Sequence, residues 1–135
     1  EYQYCADNMK NLTSVIEAHP ETQFYFFYPP YSILYWEEQV LTGRLDTILS
    51  IYQLSMETLL KYDNVRVFYF QDEKQIIESL DDYRDVCHFA PAVNKYIFEC
   101  MMDGVSEIHD SNLKQHIESM REIAVDYSYD DIWSE

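Results

Sequence analysis

Gln23-Phe24-Tyr25-Phe26-Phe27-Tyr28 and Val65-Arg66-Val67-Phe68-Tyr69-Phe70 are the two runs that decide the fold. Both are rich in aromatic and β-branched side chains, which fit a pleated surface. The first has no polar alternation, so it reads as a strand covered on both faces, as in a parallel sheet. Pro29-Pro30 stops it. Between the two runs, after a break at Gly43, Leu45, Ile48, Leu49, Tyr52, Met56, Leu59 and Leu60 recur at spacings of three and four. That spacing predicts one long amphipathic helix. Asp63-Asn64 then turns the chain into the second run. Strand, helix and strand make a βαβ unit with a right-handed crossover.

The flanks read as helices. Met9, Leu12, Val15 and Ile16 share one helical face, and that helix ends near His19-Pro20 because proline disfavours helix in the residue before it. Tyr31 to Val40 is an aromatic-rich loop or short helix. A short helix is expected over Lys74 to Leu80. Pro91 suits the first turn of another, which runs to about Met102 and ends at Gly104. Asp110 or Ser111 caps a last helix with Leu113, Ile117, Met120, Ile123 and Ala124 on one side. Residues 127–135 form an acidic, aromatic tail. The whole of 1–135 is one α/β domain. Two strands alone make a marginal sheet. The rest of the sheet is therefore expected upstream of Glu1 or on a second copy of the chain. A start at Glu1 rather than Met fits a processed product or an excised domain.

Composition narrows the function. Nine Lys and Arg face 25 Asp and Glu in 135 residues, a net charge of −16. Such a surface repels phosphate backbones and anionic lipid heads, so neither nucleic acid nor a membrane is an expected partner. No apolar stretch approaches the roughly 20 residues of a membrane-spanning helix. Cys5, Cys87 and Cys100 lack the spacing of a zinc knuckle and give no disulfide framework, although one bridge such as Cys87 to Cys100 stays open. No Asp-x-Asp-x-Asp-Gly loop exists, so no calcium site is expected. With two glycines, Gly43 and Gly104, no phosphate-cradling loop can be built, and no cofactor is expected.

The chemistry concentrates in Asp81-Asp82-Tyr83-Arg84-Asp85-Val86-Cys87-His88-Phe89-Ala90-Pro91. Asp85 and His88 are three apart, so a short turn can bring the carboxylate to one imidazole nitrogen. The other nitrogen is then free to take a proton. The pair follows the second strand, where open α/β sheets place their sites. A structural Asp–His pair in a turn before a helix is the competing reading. Cys87 beside His88 makes a poor thiol nucleophile, because adjacent residues in a turn point apart. Apart from Asp110 next to His109, His19, His109 and His116 lack acidic partners at a useful spacing, and all three read as surface residues. A second constellation, Tyr28-Pro29-Pro30-Tyr31-Ser32, ends the first strand. Tyr31, Ser32, Tyr35 and Trp36 can line a groove for a sugar or acyl chain, or belong to a packed aromatic core. Ser32 lacks the Gly-x-Ser-x-Gly elbow and any neighbouring oxyanion hole, so it is no convincing nucleophile.

Strand, Pro-Pro-Tyr-Ser, long helix, strand, then Asp-x-x-His-Phe before a Pro-led helix resembles the C-terminal half of SGNH (GDSL-type) hydrolases. The stretch Phe27 to Trp36 resembles bacterial envelope-associated members in particular. The resemblance spans roughly Met9 to Met102. It implies a three-layer α/β/α fold with a parallel sheet, flavodoxin-like in arrangement, of which this chain is the C-terminal part. It implies that His88 is the general base that activates a serine and Asp85 the acid that orients it. It also implies O-acyl groups of carbohydrate or envelope polymer as substrates, and an extracytoplasmic setting. The family's Gly-Asp-Ser block and the Gly and Asn blocks of its oxyanion hole have no counterpart here, so this polypeptide alone is expected to be inactive. The alternative from another class is a non-catalytic interaction or glycan-binding domain in which Asp85–His88 is structural. A working pair requires side chains within about 3.2 Å, with His88 facing the loop after Tyr28 and not the core.

Overall fold

The computed structural model describes residues 2–132 and has an α/β fold. Strands β1 (Phe24–Tyr28) and β2 (Val65–Tyr69) pair in parallel, Phe24 opposite Val65 through Tyr28 opposite Tyr69. The helix between them, α3, spans Leu45–Leu59, as its apolar spacing predicts. Helices α1 (Tyr2–Ala18), α2 (Ile33–Leu41), α4 (Lys74–Ile77), α5 (Pro91–Asp103) and α6 (Leu113–Asp126) complete the helical set. No helix of the described residues is long and apolar enough to cross a membrane.

A third strand, β3 (Glu107–Ile108), was not legible in the sequence. It runs antiparallel to β2, with Ile108 opposite Val67 and Glu107 opposite Phe68, and makes the sheet mixed, in the order β1-β2-β3. Two residues are too few to show a period of two. Its register is fixed from the side. Arg66 on β2 donates to both Glu107 oxygens, Nε at 2.8 Å and Nη2 at 2.5 Å. The same guanidinium lies over the rings of Tyr25 and Phe68, 5.3 and 5.2 Å from their centroids. A planar cation suits both partners at once.

The sheet's two faces are unequal. Val65, Val67 and Tyr69 point into the main core, with Ile16 of α1, Trp36 of α2, Leu49 and Met56 of α3, and Met120 of α6. Phe24, Phe26 and Tyr28 pack against the edge of that core. On the opposite face, Phe68 and Phe70 form a smaller cluster with Val93, Ile97 and Cys100 of α5. That helix covers β2 and leaves β1 bare: Tyr25 and Phe27 remain 42% and 45% exposed. The expectation of a first strand covered on both faces is therefore corrected. An unbroken aromatic run signals burial only where both neighbouring layers exist, and here one does not.

Two further expectations change. Val15, placed on the inner face of α1, is exposed, while Ile16 beside it is buried. The cap of α6 is neither Asp110 nor Ser111 but Asn112, whose side-chain oxygen accepts from His109 N at 2.8 Å. The acidic tail is folded as far as it is described. Tyr127, Tyr129 and Ile132 pack on the main core, and Tyr129 donates to Ala124 O at 2.8 Å. The tail's last residues, 133–135, lie outside the described ones, as does the Cys5 side chain. Cys87 and Cys100 are free thiols, so the bridge between them is not made.

Gly104 ends α5 in the left-handed region at φ +73°, and a Cβ there would meet Arg66 Nη2 at 3.3 Å. Gly43 has φ +68° with open space around it. Both substitutions to alanine carry the left-handed penalty, about 1 kcal/mol each. Gly104→Ala also crowds the Arg66–Glu107 pair. Its denaturation midpoint is expected to fall further than that of Gly43→Ala; equal shifts would remove the crowding argument.

Candidate functional site

The segment 83–90 is pinned at both ends. Tyr83 bridges Phe89, Arg84 N donates to His88 O at 2.8 Å, and Ala90 N donates to Asp82 O at 2.7 Å. Within the turn, Asp85 Oδ1 accepts from the backbone N–H of Cys87 at 2.9 Å and of His88 at 2.8 Å. The carboxylate also meets His88 Nδ1, 2.7 Å from Oδ2 and 2.9 Å from Oδ1. The three-residue spacing works because the turn folds the chain back over the carboxylate. The Cys87 and His88 amides, then the imidazole, hold the Asp85 carboxyl down to about 2. It is an anion over the whole physiological range. Paired with an anion, Nδ1 carries the proton and Nε2 is left as the acceptor. The His88 side chain is 78% exposed.

The turn docks on the loop that follows β1. Tyr83 OH donates to Pro30 O at 2.8 Å. Ser32 donates twice to Val86 O, from N at 3.0 Å and from Oγ at 3.1 Å. From the turn after β2, Gln71 Oε1 accepts from Tyr31 N at 3.3 Å. The Asp85–His88 pair therefore sits at the carboxyl ends of the two parallel strands, against the Pro-Pro loop.

Tyr31 and Tyr35 are half-buried beside the turn, with ring centroids 4.8 Å apart. Burial raises both hydroxyls, and the neighbouring Cys87 adds to this. Burial and then the Asp85 charge push the Cys87 thiol up as well, which disfavours the thiolate that a nucleophile needs. Trp36 does not line a groove: it is wholly buried. It faces inward with Ile33 three residues before it, one turn of α2 earlier, and packs edge-on against Tyr35 and Tyr52. Ser32 is also buried, 1% exposed, with its hydroxyl committed to Val86. Of the four residues expected to bind substrate, two belong to the interior, and the accessible pair is Tyr31 and Tyr35. A shallow depression of about 200 Å³ lies between Leu34, Tyr83 and Asp85.

A second Asp–His pair was missed. His116 on α6 is not a surface residue: its Nδ1 lies 2.8 Å from Asp72 Oδ2, with the Asp72 side chain 10% exposed. Asp72 follows the end of β2, and the His116 ring lies edge-on to Tyr69. The two residues are 44 apart, so no spacing rule could join them. Asp72 raises the imidazole's basicity, through the hydrogen bond first, against the opposing effect of burial. The sign follows from linkage: with the native value raised, the contribution is full below the unfolded value near 6.5 and fades as pH rises through the native one. The melting temperature is expected to fall between pH 6 and pH 8.5, and His116→Gln to flatten that fall. An unchanged pH dependence in the variant would exclude this pair as its source.

Among the described residues no three His, Cys, Asp or Glu side chains converge to hold a metal ion. No family model, no curated protein and no solved structure matches this chain.

Proposed function

We propose that this chain is the C-terminal part of a serine ester hydrolase or acyl transferase of the SGNH type, three-layered when complete, that acts on O-acyl groups of carbohydrate or envelope polymer. The observation that carries the reading is the Asp85–His88 pair: 2.7 Å from carboxylate to Nδ1, with an exposed imidazole at the carboxyl ends of parallel strands. His88 Nε2 takes the proton of a serine hydroxyl as the serine attacks the acyl carbonyl. Asp85, ionised throughout, stabilises the imidazolium that results. His88 then returns the proton to the departing alcohol, and water or an acceptor hydroxyl resolves the acyl-enzyme. Tyr31 and Tyr35 offer partly exposed aromatic faces, tilted by 57° to each other, of the kind on which sugar rings stack. The serine and its oxyanion hole come from outside these 135 residues.

A specific observation favours a second reading, an interaction or glycan-binding domain. Asp85 already satisfies two backbone amides, so it has a structural task without any catalysis. A fluorophosphonate probe on the polypeptide as its cells make it separates the two. Covalent labelling of one serine, lost in His88→Ala, is expected. No labelling, or labelling indifferent to His88, would establish the binding-domain reading. The 135-residue chain alone is expected to stay unlabelled.

A further inference from the structure

The free edge of β1 follows from its pairing parity. Phe24 N donates to Asn64 O at 2.8 Å, and Phe70 N donates to Tyr28 O at 3.1 Å. In a parallel ladder a residue turns both its N–H and its C=O to the same neighbour, and alternate residues turn the other way. Phe24, Phe26 and Tyr28 therefore face β2. Tyr25 and Phe27 direct their amides and carbonyls to the side where the sheet ends, since β1 is the outer strand of the order β1-β2-β3. The same two residues carry the exposed rings of the bare sheet face. Beside them on that face, α5 turns Tyr96 toward Phe70. Open backbone groups and open apolar surface coincide.

We infer that this edge and face receive a β-strand, parallel to β1, and the helix connected to it, from the unit that supplies the serine. The inference rests on the hydrolase reading for the identity of the occupant. Three observations select it. Two pairs of outward N–H and C=O groups spaced two residues apart match an extended backbone and no other ligand class. A second copy of this chain carries the same net charge of −16 as the first, which opposes self-pairing. A parallel strand added to β1 ends on the same side as Tyr28. Its carboxyl end then lies in line with the Pro-Pro loop on which Asp85 and His88 are docked. An antiparallel strand would place its start there instead.

Amide hydrogen exchange, read residue by residue on the polypeptide as its cells make it, tests this. Tyr25 and Phe27 are expected to exchange at least about 100-fold more slowly there than in the 135-residue chain, where of the β1 amides only those turned to β2, on Phe24, Phe26 and Tyr28, are protected. Phe27→Pro removes one outward donor without touching the β1–β2 ladder. It is expected to abolish the protection of Tyr25 while Phe26 keeps its own. Unprotected Tyr25 and Phe27 amides in the cell-made polypeptide would overturn the docking edge, even if esterase activity persisted. Protected amides without fluorophosphonate labelling would keep the edge and remove the hydrolase reading. Sedimentation of the 135-residue chain is expected to give a monomer. A dimer whose Tyr25 and Phe27 amides are protected would make a second copy the occupant and overturn the inference.

Discussion

On the proposed hydrolase reading, replacing His88 by alanine is expected to lower acetyl-ester hydrolysis by the polypeptide that carries the serine by about 10⁴-fold or more, with little change in stability. The magnitude follows from removing the base of a triad, whose members act as a unit. It corresponds to roughly 5.5 kcal/mol of transition-state stabilisation. The small stability cost follows from exposure: the imidazole is 78% exposed, and surface substitutions of that kind stay within about 0.5 kcal/mol. Asp85→Asn sharpens the test. Its retained Oδ1 still accepts from the Cys87 and His88 amides, so the turn survives. Its new amide faces Nδ1 and disfavours the tautomer that leaves Nε2 unprotonated, so the rate falls about 10⁴-fold. Asp85→Ala loses the turn as well and should lower both activity and stability. If Asp85→Asn and His88→Ala retained full rate while Asp85→Ala unfolded the turn, the pair would be structural. Parallel kcat losses with unchanged KM place the effect on chemistry and not on binding.

The helices were more legible than the sheet, for a physical reason. The inner face of α6, Leu113, Ile117, Met120, Ile123 and Ala124, is buried residue for residue. Fourteen residues give a period of 3.6 room to repeat. A strand of two residues gives a period of two no room, so β3 went unseen. Burial of β1 on both faces was inferred from composition, but it depends on what lies beside the strand, and that is a property of the layer and not of the run. Asp85 and His88 meet through a local turn, which spacing can express. Asp72 and His116 meet because α6 packs beside the end of β2, which spacing cannot express. Trp36 illustrates a third limit. It directly follows the half-buried Tyr35 yet lies wholly in the core, because helix phase and not proximity decides where it points.

Trp36 is the residue whose loss should damage the fold most. It is the largest of the fully buried side chains and joins α2 to α3 through its edge-on contact with Tyr52. Truncation to alanine removes an indole from a core that holds Ile33, Leu49 and Met56 around it, and such changes cost about 3–5 kcal/mol. Domains of this size are stable by about 5–15 kcal/mol. Trp36→Ala is therefore expected to unfold a large fraction of the chain at 37 °C or to melt far below the parent. The indole N–H adds a contrast. Nε1 is buried without a hydrogen-bond partner among the described residues. An unsatisfied buried donor costs about 1–3 kcal/mol, so Trp36→Phe recovers part of that cost while giving up a smaller volume. The phenylalanine variant is expected within about 1 kcal/mol of the parent, several kcal/mol above the alanine variant, in urea melts followed by circular dichroism. A phenylalanine variant as unstable as the alanine one would mean that the indole N–H is satisfied in solution and holds α2 in place, and the aromatic shelf of Tyr31 and Tyr35 would then depend on that bond as much as on packing.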